Sequence, residues 1–200
     1  MGNPEKSGTD KTSGKRSVRR RASGLCHPQG MDWPAPEPIT TVRLLLEPLT
    51  VGHAPSMVEV LAEPSLYEYT GGEAPSLKLL EHRYVSQAVG HSVDGSQWWL
   101  NWIVITRDLG RPVGYVQATV EDDGAGLVAD IAWVVSPTWQ GNGIASEATR
   151  AMADWLRSNG VRSFTAHIHP DHQASMKVAR NQGLRATSSR KGGETRWEFP

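Results

Sequence analysis

The sequence predicts an α+β domain: a mixed, mostly antiparallel sheet with one parallel strand pair and flanking helices. Two observations lead there. Three alternating apolar runs, 98–106 (WWLNWIVIT), 112–121 (PVGYVQATVE) and 127–135 (LVADIAWVV), follow one another across the short turns Asp108–Gly110 and Asp122–Gly126, which carry hairpin chemistry. A helix-period stretch then separates 127–135 from a further strand-like run, Val161–His169. A helix between two strands of one sheet makes them parallel neighbours.

The remaining elements follow in order. Thr41–Leu49 (TVRLLLEPL) is a β-branched and leucine run closed by a proline, which reads as the first strand. Residues 54–63 and 76–89 have helical spacing, with Leu77, Leu80, Tyr84 and Ala88 forming one stripe of the second. Tyr69–Glu73 between them is a loop. After Gly143, one helix face collects Ile144, Ala148, Ala151, Met152, Trp155 and Leu156, and Asn159-Gly160 is a stop signal. Pro170 ends the next strand, 172–182 is a second helix stopped at Gly183, and 194–199 is a last strand. The order is β-αα-βββ-α-β-α-β.

Composition narrows the function classes. The chain has 200 residues, 38% of them hydrophobic, enough for one domain with its own core. Lys+Arg and Asp+Glu both number 21, which argues against a dedicated nucleic-acid binder that must neutralise phosphates. Cys26 is the only cysteine, so neither an intrachain disulfide nor a cysteine-built zinc site is available. No run approaches the roughly 18 apolar residues of a membrane span, and a cytoplasmic protein without membrane contact is expected. Residues 1–38 hold seven Lys/Arg against four acids, residues 39–200 fourteen against seventeen. The first segment is also rich in Gly, Ser and Pro and poor in apolar residues. It reads as a disordered basic tail, or as an over-extended start with Met31 as the first residue, before a domain at 39–200.

Chemistry enters at Gln140-Gly141-Asn142-Gly143-Ile144-Ala145, between a strand and a helix. Glycines there let the backbone approach a ligand with several N–H groups turned one way, and the helix start adds positive partial charge, suited to a pyrophosphate. It is not a P-loop, since no Lys-Ser/Thr follows, nor the GxGxxG of dinucleotide folds. Taken alone, the tetrapeptide reads equally well as an Asn-Gly turn joining strand to helix.

Its surroundings decide. Ala129–Pro137, Trp139–Ala145 and Glu147-Ala148 resemble motif A of the GNAT acetyltransferases, whose Q/R-x-x-G-x-G/A loop is matched by Gln140, Gly143 and Ala145. Downstream, His169-Pro170-Asp171-His172, Ala174-Ser175, Val178-Ala179 and Gly183-Leu184 resemble the family's P-x-N-x-x-S helix ending in Gly-Phe. Thr41–Leu49 followed by the Tyr69–Glu73 loop resembles the branch containing the ribosomal-protein N-terminal acetyltransferases. The resemblance covers residues 40–198. It implies a GNAT fold in which the two parallel strands splay apart, with acetyl-CoA as co-substrate and no metal. By position it implies that Trp133, Val134 and Val135 face the pantetheine arm. It also implies that Gln140, Gly141, Asn142, Gly143, Ile144 and Ala145 hold the pyrophosphate, with His172 and Ser175 approaching from the second helix. This chain departs from the pattern where the family's Asn is His172, where its aromatic is Leu184, and where the Tyr that protonates the leaving thiolate is Ala179.

The implied reaction is transfer of acetyl to a primary amine, on a protein N-terminus or a small molecule, by direct attack in a ternary complex. Free amines have pKa values of about 8–10, so a base or water chain must take a proton. Asp130 is the best-placed carboxylate and Glu121 the second, although pleat parity sets Asp130 opposite Trp133 and Val135. His167 and His169 are possible proton relays. Tyr69, Glu73, Trp99 and Trp102, with Tyr67 nearby, can form an aromatic, mildly acidic acceptor pocket. Two other classes compete. A non-catalytic acyl-CoA-binding module would need no acid at Ala179. A zinc hydrolase is suggested by His167-Ile168-His169-Pro170-Asp171-His172, the H-x-H-x-D-H of metallo-β-lactamases, but only 28 residues follow His172, with no His or Asp among them. Monomer and homodimer both stay open.

Overall fold

Alternation along the central strands divides the large side chains between two faces of one sheet, and helices cover each face. The structure is a computed structural model describing residues 33–199. The elements are β1 (Ile39–Thr40), β2 (Leu44–Pro48), α1 (Ala54–Val60), α2 (Leu77–Ala88), β3 (Gln97–Thr106), β4 (Pro112–Asp122) and β5 (Leu127–Val135), then α3 (Ile144–Ser158), β6 (Val161–Ile168), α4 (Gln173–Asn181), β7 (Arg185–Lys191) and β8 (Glu194–Glu198). The eight strands run in the order β1-β2-β3-β4-β5-β6-β8-β7. Every pairing is antiparallel except β5 with β6. None of the described helices is long and apolar enough to cross a membrane.

On one face Trp98, Leu100 and Trp102 of β3, Val116 and Ala118 of β4 and Ile131 of β5 pack with Ala148, Met152 and Leu156 of α3. The 3.6-residue stripe of α3 therefore meets the period-two stripe of the sheet, which makes this the larger core. On the other face Ile103 packs with Met57 of α1 and Leu80 and Tyr84 of α2.

Several expectations change. The strand expected over Thr41–Leu49 is found as the shorter β2, and 41–43 instead form the turn of a hairpin with β1, where Thr41 hydrogen-bonds with Leu44. The helix expected to reach 63 ends at Val60, because Pro64 disfavours helical backbone in the residue before it. Leu80 and Tyr84 are buried as the stripe requires, but Leu77 and Ala88 are exposed, so α2 rests on the sheet by its middle. Strand β7 is additional; its sequence, RATSSRK, is polar and mostly exposed and lies at a sheet edge.

Two tryptophans require correction of the expected boundaries and roles. Trp102 is fully buried, meets Trp155 edge-on at 5.3 Å, and its Nε1–H donates to the Glu37 carbonyl at 2.9 Å. It is a core residue and cannot contact an acceptor. Trp33 is buried against Trp98 with ring centroids 5.4 Å apart. Packed chain thus begins before residue 39. The rest of the expected tail, residues 1–32, lies outside the described residues.

Candidate active site

The site begins where the parallel pair comes apart. β5 and β6 pair through Leu127↔Val161, Val128↔Ser163, Ala129↔Phe164 and Asp130↔Thr165, and no further. Beyond Thr165, β6 pairs through Ile168 with β8 on its other side, while β5 continues unpaired on this edge to Val135. The backbone of 131–135 therefore borders an open wedge. Trp133 and Val135 turn to the α3 core and Val134 to the α1 side, so what the three residues offer the wedge is their backbone edge.

The loop after β5 ends in α3, and the two glycines make its shape possible. Gly141 (φ 78°) and Gly143 (φ 77°) both sit in the left-handed region, which L-residues with a Cβ disfavour by about 1–2 kcal/mol. Gly143 is the N-cap of α3 and has no side chain to cap it. Among the described residues, no acceptor lies opposite the amides of Gly141, Asn142, Gly143, Ile144, Ala145 or Ser146. By contrast α2 is capped by its own Ser76, which accepts from Leu79 N. Free amides in succession at the start of a fifteen-residue helix make a cradle for a phosphate group. The Gln140 side chain does not enter it; its Nε2 donates to the Val135 carbonyl at 2.9 Å and ties the loop back to β5. Asn142 likewise turns inward, to the carbonyls of Trp139 and Gln140.

A brace that sequence reasoning did not find holds this loop from behind. Glu147, in the first turn of α3, accepts from Thr41 Oγ1 (2.6 Å), Arg43 N (3.2 Å) and Arg43 Nε (2.7 Å) and pairs with Arg43 Nη2 at 2.6 Å. Arg43 Nη1 also donates to the Asn142 carbonyl at 2.9 Å, inside the loop itself. Arg107 in turn donates to the carbonyls of Thr41 and Val42, pinning the β1–β2 turn. The only signal in the sequence is an acid four residues after Gly143. Burial raises the Glu147 pKa, but the bonds from Thr41 and Arg43 outweigh it and hold the carboxyl below its ordinary value. A group with a lowered folded-state pKa stabilises above its unfolded value and loses that contribution as pH falls through the folded value. Wild type should therefore resist urea better than Glu147→Gln near pH 6, and the two midpoints should converge near pH 3. An equal gap at both pH values would show that the brace does not depend on charge.

Across the wedge, Asp130 stands at the last paired position. Its Oδ1 accepts from Thr165 Oγ1 at 3.3 Å and its Oδ2 lies 3.3 Å from His167 Nδ1. The parity is as the pleat requires: Asp130 shares the sheet face of α1 and α2, while Trp133 and Val135 belong to the other. Glu121 is on the same face but two pairs farther from the wedge, opposite Val128, and accepts from Gln97 Nε2 at 3.2 Å.

The start of α4 closes the far side. His172 is its N-cap, and Tyr69 stacks on the His172 ring at 4.5 Å and lies tilted on His169 at 5.4 Å. Burial lowers the His172 pKa; the Glu68 carboxylate opposes the shift and His169 adds to it. Ser175 is half-buried in the first turn with its hydroxyl unpaired among the described residues. Ala179 is fully buried in the core. The histidines of 167–172 diverge, His167 to Asp130 and the other two to Tyr69, and no group of three His, Cys, Asp or Glu among the described residues is set to hold a metal. The expected aromatic pocket is also dispersed: Tyr69 is on His172, Glu73 is exposed without an ion pair, and Trp99 lines a separate groove on β3 and β4.

Comparison with known proteins identifies the family. A family model described as an acetyltransferase (GNAT) domain matches residues 43–185, which span both the loop and α4. No curated protein matches the sequence. Among solved structures, RimL, a ribosomal L7/L12 α-N-protein acetyltransferase in complex with coenzyme A, is similar with a TM-score of 0.67 at 18% identity, covering 81% of this chain and 97% of that one. An acetyltransferase from Thermus thermophilus is similar with a TM-score of 0.63 at 22% identity, covering 82% and 99%. An acetyl transferase from Salmonella typhimurium that modifies the N-terminal serine of 50S subunit protein L7/L12 gives 0.65 at 18%, covering 81% and 98%. At such identities the structures establish the fold, and the matched domain establishes the family: this chain belongs to the GNAT acetyltransferases.

Proposed function

We propose that the protein transfers an acetyl group from acetyl-CoA to a primary amine by direct attack within a ternary complex. The observation that carries this reading is the wedge between β5 and β6 with the unpaired amides of 141–146 beside its mouth. The wedge suits the pantetheine arm, whose amides find the unpaired backbone edge of 131–135. The loop suits the pyrophosphate, with positive partial charge from α3 behind it. His172 and Ser175 flank the same opening from α4.

When bound, acetyl-CoA supplies an activated carbonyl; the chain supplies position and a proton acceptor. His167 Nδ1 lies 3.3 Å from Asp130 Oδ2, so the imidazole can take the ammonium proton while the neighbouring carboxylate steadies the imidazolium that forms. The neutral amine then forms the new C–N bond, the C–S bond breaks, and the sulfur takes its proton from solvent, since Ala179 offers none. Without that Tyr, a binding module that does not turn over is the competing reading.

Initial rates with both substrates varied test the proposal. Intersecting double-reciprocal lines, together with an intact mass unchanged by acetyl-CoA alone, are expected. Parallel lines or a stable acetyl-protein would replace direct attack with a covalent route. Saturable acetyl-CoA binding with no turnover over a broad amine panel would favour the binding module.

A further inference from the structure

The sheet face that carries Asp130 also carries a polar groove. The register aligns Trp99, Thr119, Asp130 and Thr165 in one row across four strands, and Asn101, Gln117 and Ala132 in the next. Side chains in such rows share a face and stand beside one another. Above the first two strands, Gln87 of α2, Trp99, Asn101, Gln117, Ala118 and Thr119 line a cavity of about 270 Å³.

Its lining is unusual for a protein interior. Asn101 is more than nine-tenths buried, yet its side-chain amide has no hydrogen-bond partner among the described residues, and the same holds for the side chains of Gln87, Gln117 and Thr119. Gln87, Gln117 and Thr119 are half-buried, so the polar groups of the lining, Asn101 deepest among them, are open to the cavity and can meet a ligand's donors and acceptors. No charged side chain lines the cavity. On the same face Asp130 stands one strand spacing of about 4.8 Å beyond Thr119, while Glu121 is held by Gln97 two residues along β4. The Trp99 Nε1–H points to Gln97 Oε1 at 3.4 Å, which leaves the partly exposed ring as an apolar wall.

From these features we infer that the acceptor is a small polyhydroxylated primary amine of amino-sugar type. Asn101, Gln117, Thr119 and Gln87 bind its hydroxyls, Trp99 covers its C–H face, and its amine reaches the Asp130–His167 pair. Amide side chains serve a hydroxyl-bearing body because each offers a donor and an acceptor together. A long cationic polyamine would leave them unpaired, and the volume falls below the about 300–1,000 Å³ of sites for drug-sized ligands. This inference rests on the acetyltransfer reading above and names the acceptor class for it.

The test compares glucosamine with cyclohexylamine, the same ring size without hydroxyls, and with a short peptide bearing a free N-terminus. CoA release is followed with the full chain and saturating acetyl-CoA. Glucosamine should exceed both by at least about 10-fold in kcat/KM, because a site built for hydroxyls rejects the analogue lacking them. In Asn101→Leu and Gln117→Leu, close in volume to the native residues, that advantage should collapse through KM for glucosamine while KM for acetyl-CoA holds. Thr119→Val provides the same reading should either of those variants fail to fold. Equal kcat/KM for the two rings, or preference for the peptide, would overturn the acceptor class while leaving the acetyltransfer reading in place. Failure of the wild-type chain to bind acetyl-CoA in calorimetry would overturn both.

Discussion

Asp130→Asn should lower kcat/KM for the amine by up to about 10²–10⁴-fold, the usual contribution of general-base catalysis, lost here through the His167 that it steadies. Acetyl-CoA affinity should stay the same. The expectation follows from place: Asp130 occupies the final paired position of β5 and β6, with His167 Nδ1 3.3 Å from one oxygen and Thr165 Oγ1 3.3 Å from the other. Asparagine keeps the shape but removes the charge that steadies an imidazolium. His167→Gln should produce a loss of similar size. A fall of less than about threefold would mean that solvent deprotonates the amine and that Asp130 is a strand residue joined to its neighbours. Glu121→Gln provides the contrast. Glu121 lies two pairs farther back, beside Gln97, and its loss should leave kcat/KM within about twofold of wild type.

Gly114→Ala should unfold the protein more easily and weaken acetyl-CoA binding together. Gly114 pairs with Val104 on one side and Val135 on the other, beside a register shift in β3. A Cβ at this position would fall on the Val134 carbonyl oxygen and lie 2.9 Å from Val135 Cα. Both obstacles are backbone, so no side chain can swing aside, and β5 must move. The cost should be about 2–3 kcal/mol, in the upper part of the overpacking range. That corresponds to a fall of about 4–12 °C in Tm at about 2–4 °C per kcal/mol for a chain of this size. Because the displaced residues are the last of β5, beside the wedge, the cofactor arm should lose its backbone edge as well. Unchanged Tm and acetyl-CoA affinity would show that β4 and β5 are less tightly apposed than the structure describes.

The parts of the fold that are legible in the sequence are those where burial imposes a period. Trp98, Leu100 and Trp102 alternate because one side of β3 meets α3, and α3 shows its stripe because it lies against that side. The single parallel pair follows from the helix between its strands. By contrast β7 is an edge strand with few apolar contacts, so nothing in RATSSRK records it. The turn of the β1–β2 hairpin reads as the start of a strand because it is made by Thr41 bonding to Leu44, a local detail of no periodic consequence.

The site divides in the same way. The glycine loop is visible because only Gly tolerates the backbone at 141 and 143. The aromatic acceptor pocket was assembled in sequence from residues that share a composition but not a surface. Trp102 belongs to the core, Tyr69 to His172, and Trp99 to a groove whose other members, Asn101, Gln117 and Thr119, carry no distinguishing pattern. The Arg43–Glu147 brace joins residues about a hundred positions apart, and no local spacing announces it.

The measurement that bears most directly on the account is calorimetric titration of the metal-free protein with acetyl-CoA, run in parallel on Gly143→Val. Saturable one-to-one binding to wild type is predicted, weakened by at least about 10-fold in the variant. Valine at φ 77° carries a penalty of about 1–2 kcal/mol or more and pulls the loop amides out of line. Circular dichroism should show the variant folded, so that the loss belongs to the loop. Equal binding by the two proteins would take the pyrophosphate away from 140–145, and no binding by wild type would contradict the acetyl-CoA site altogether.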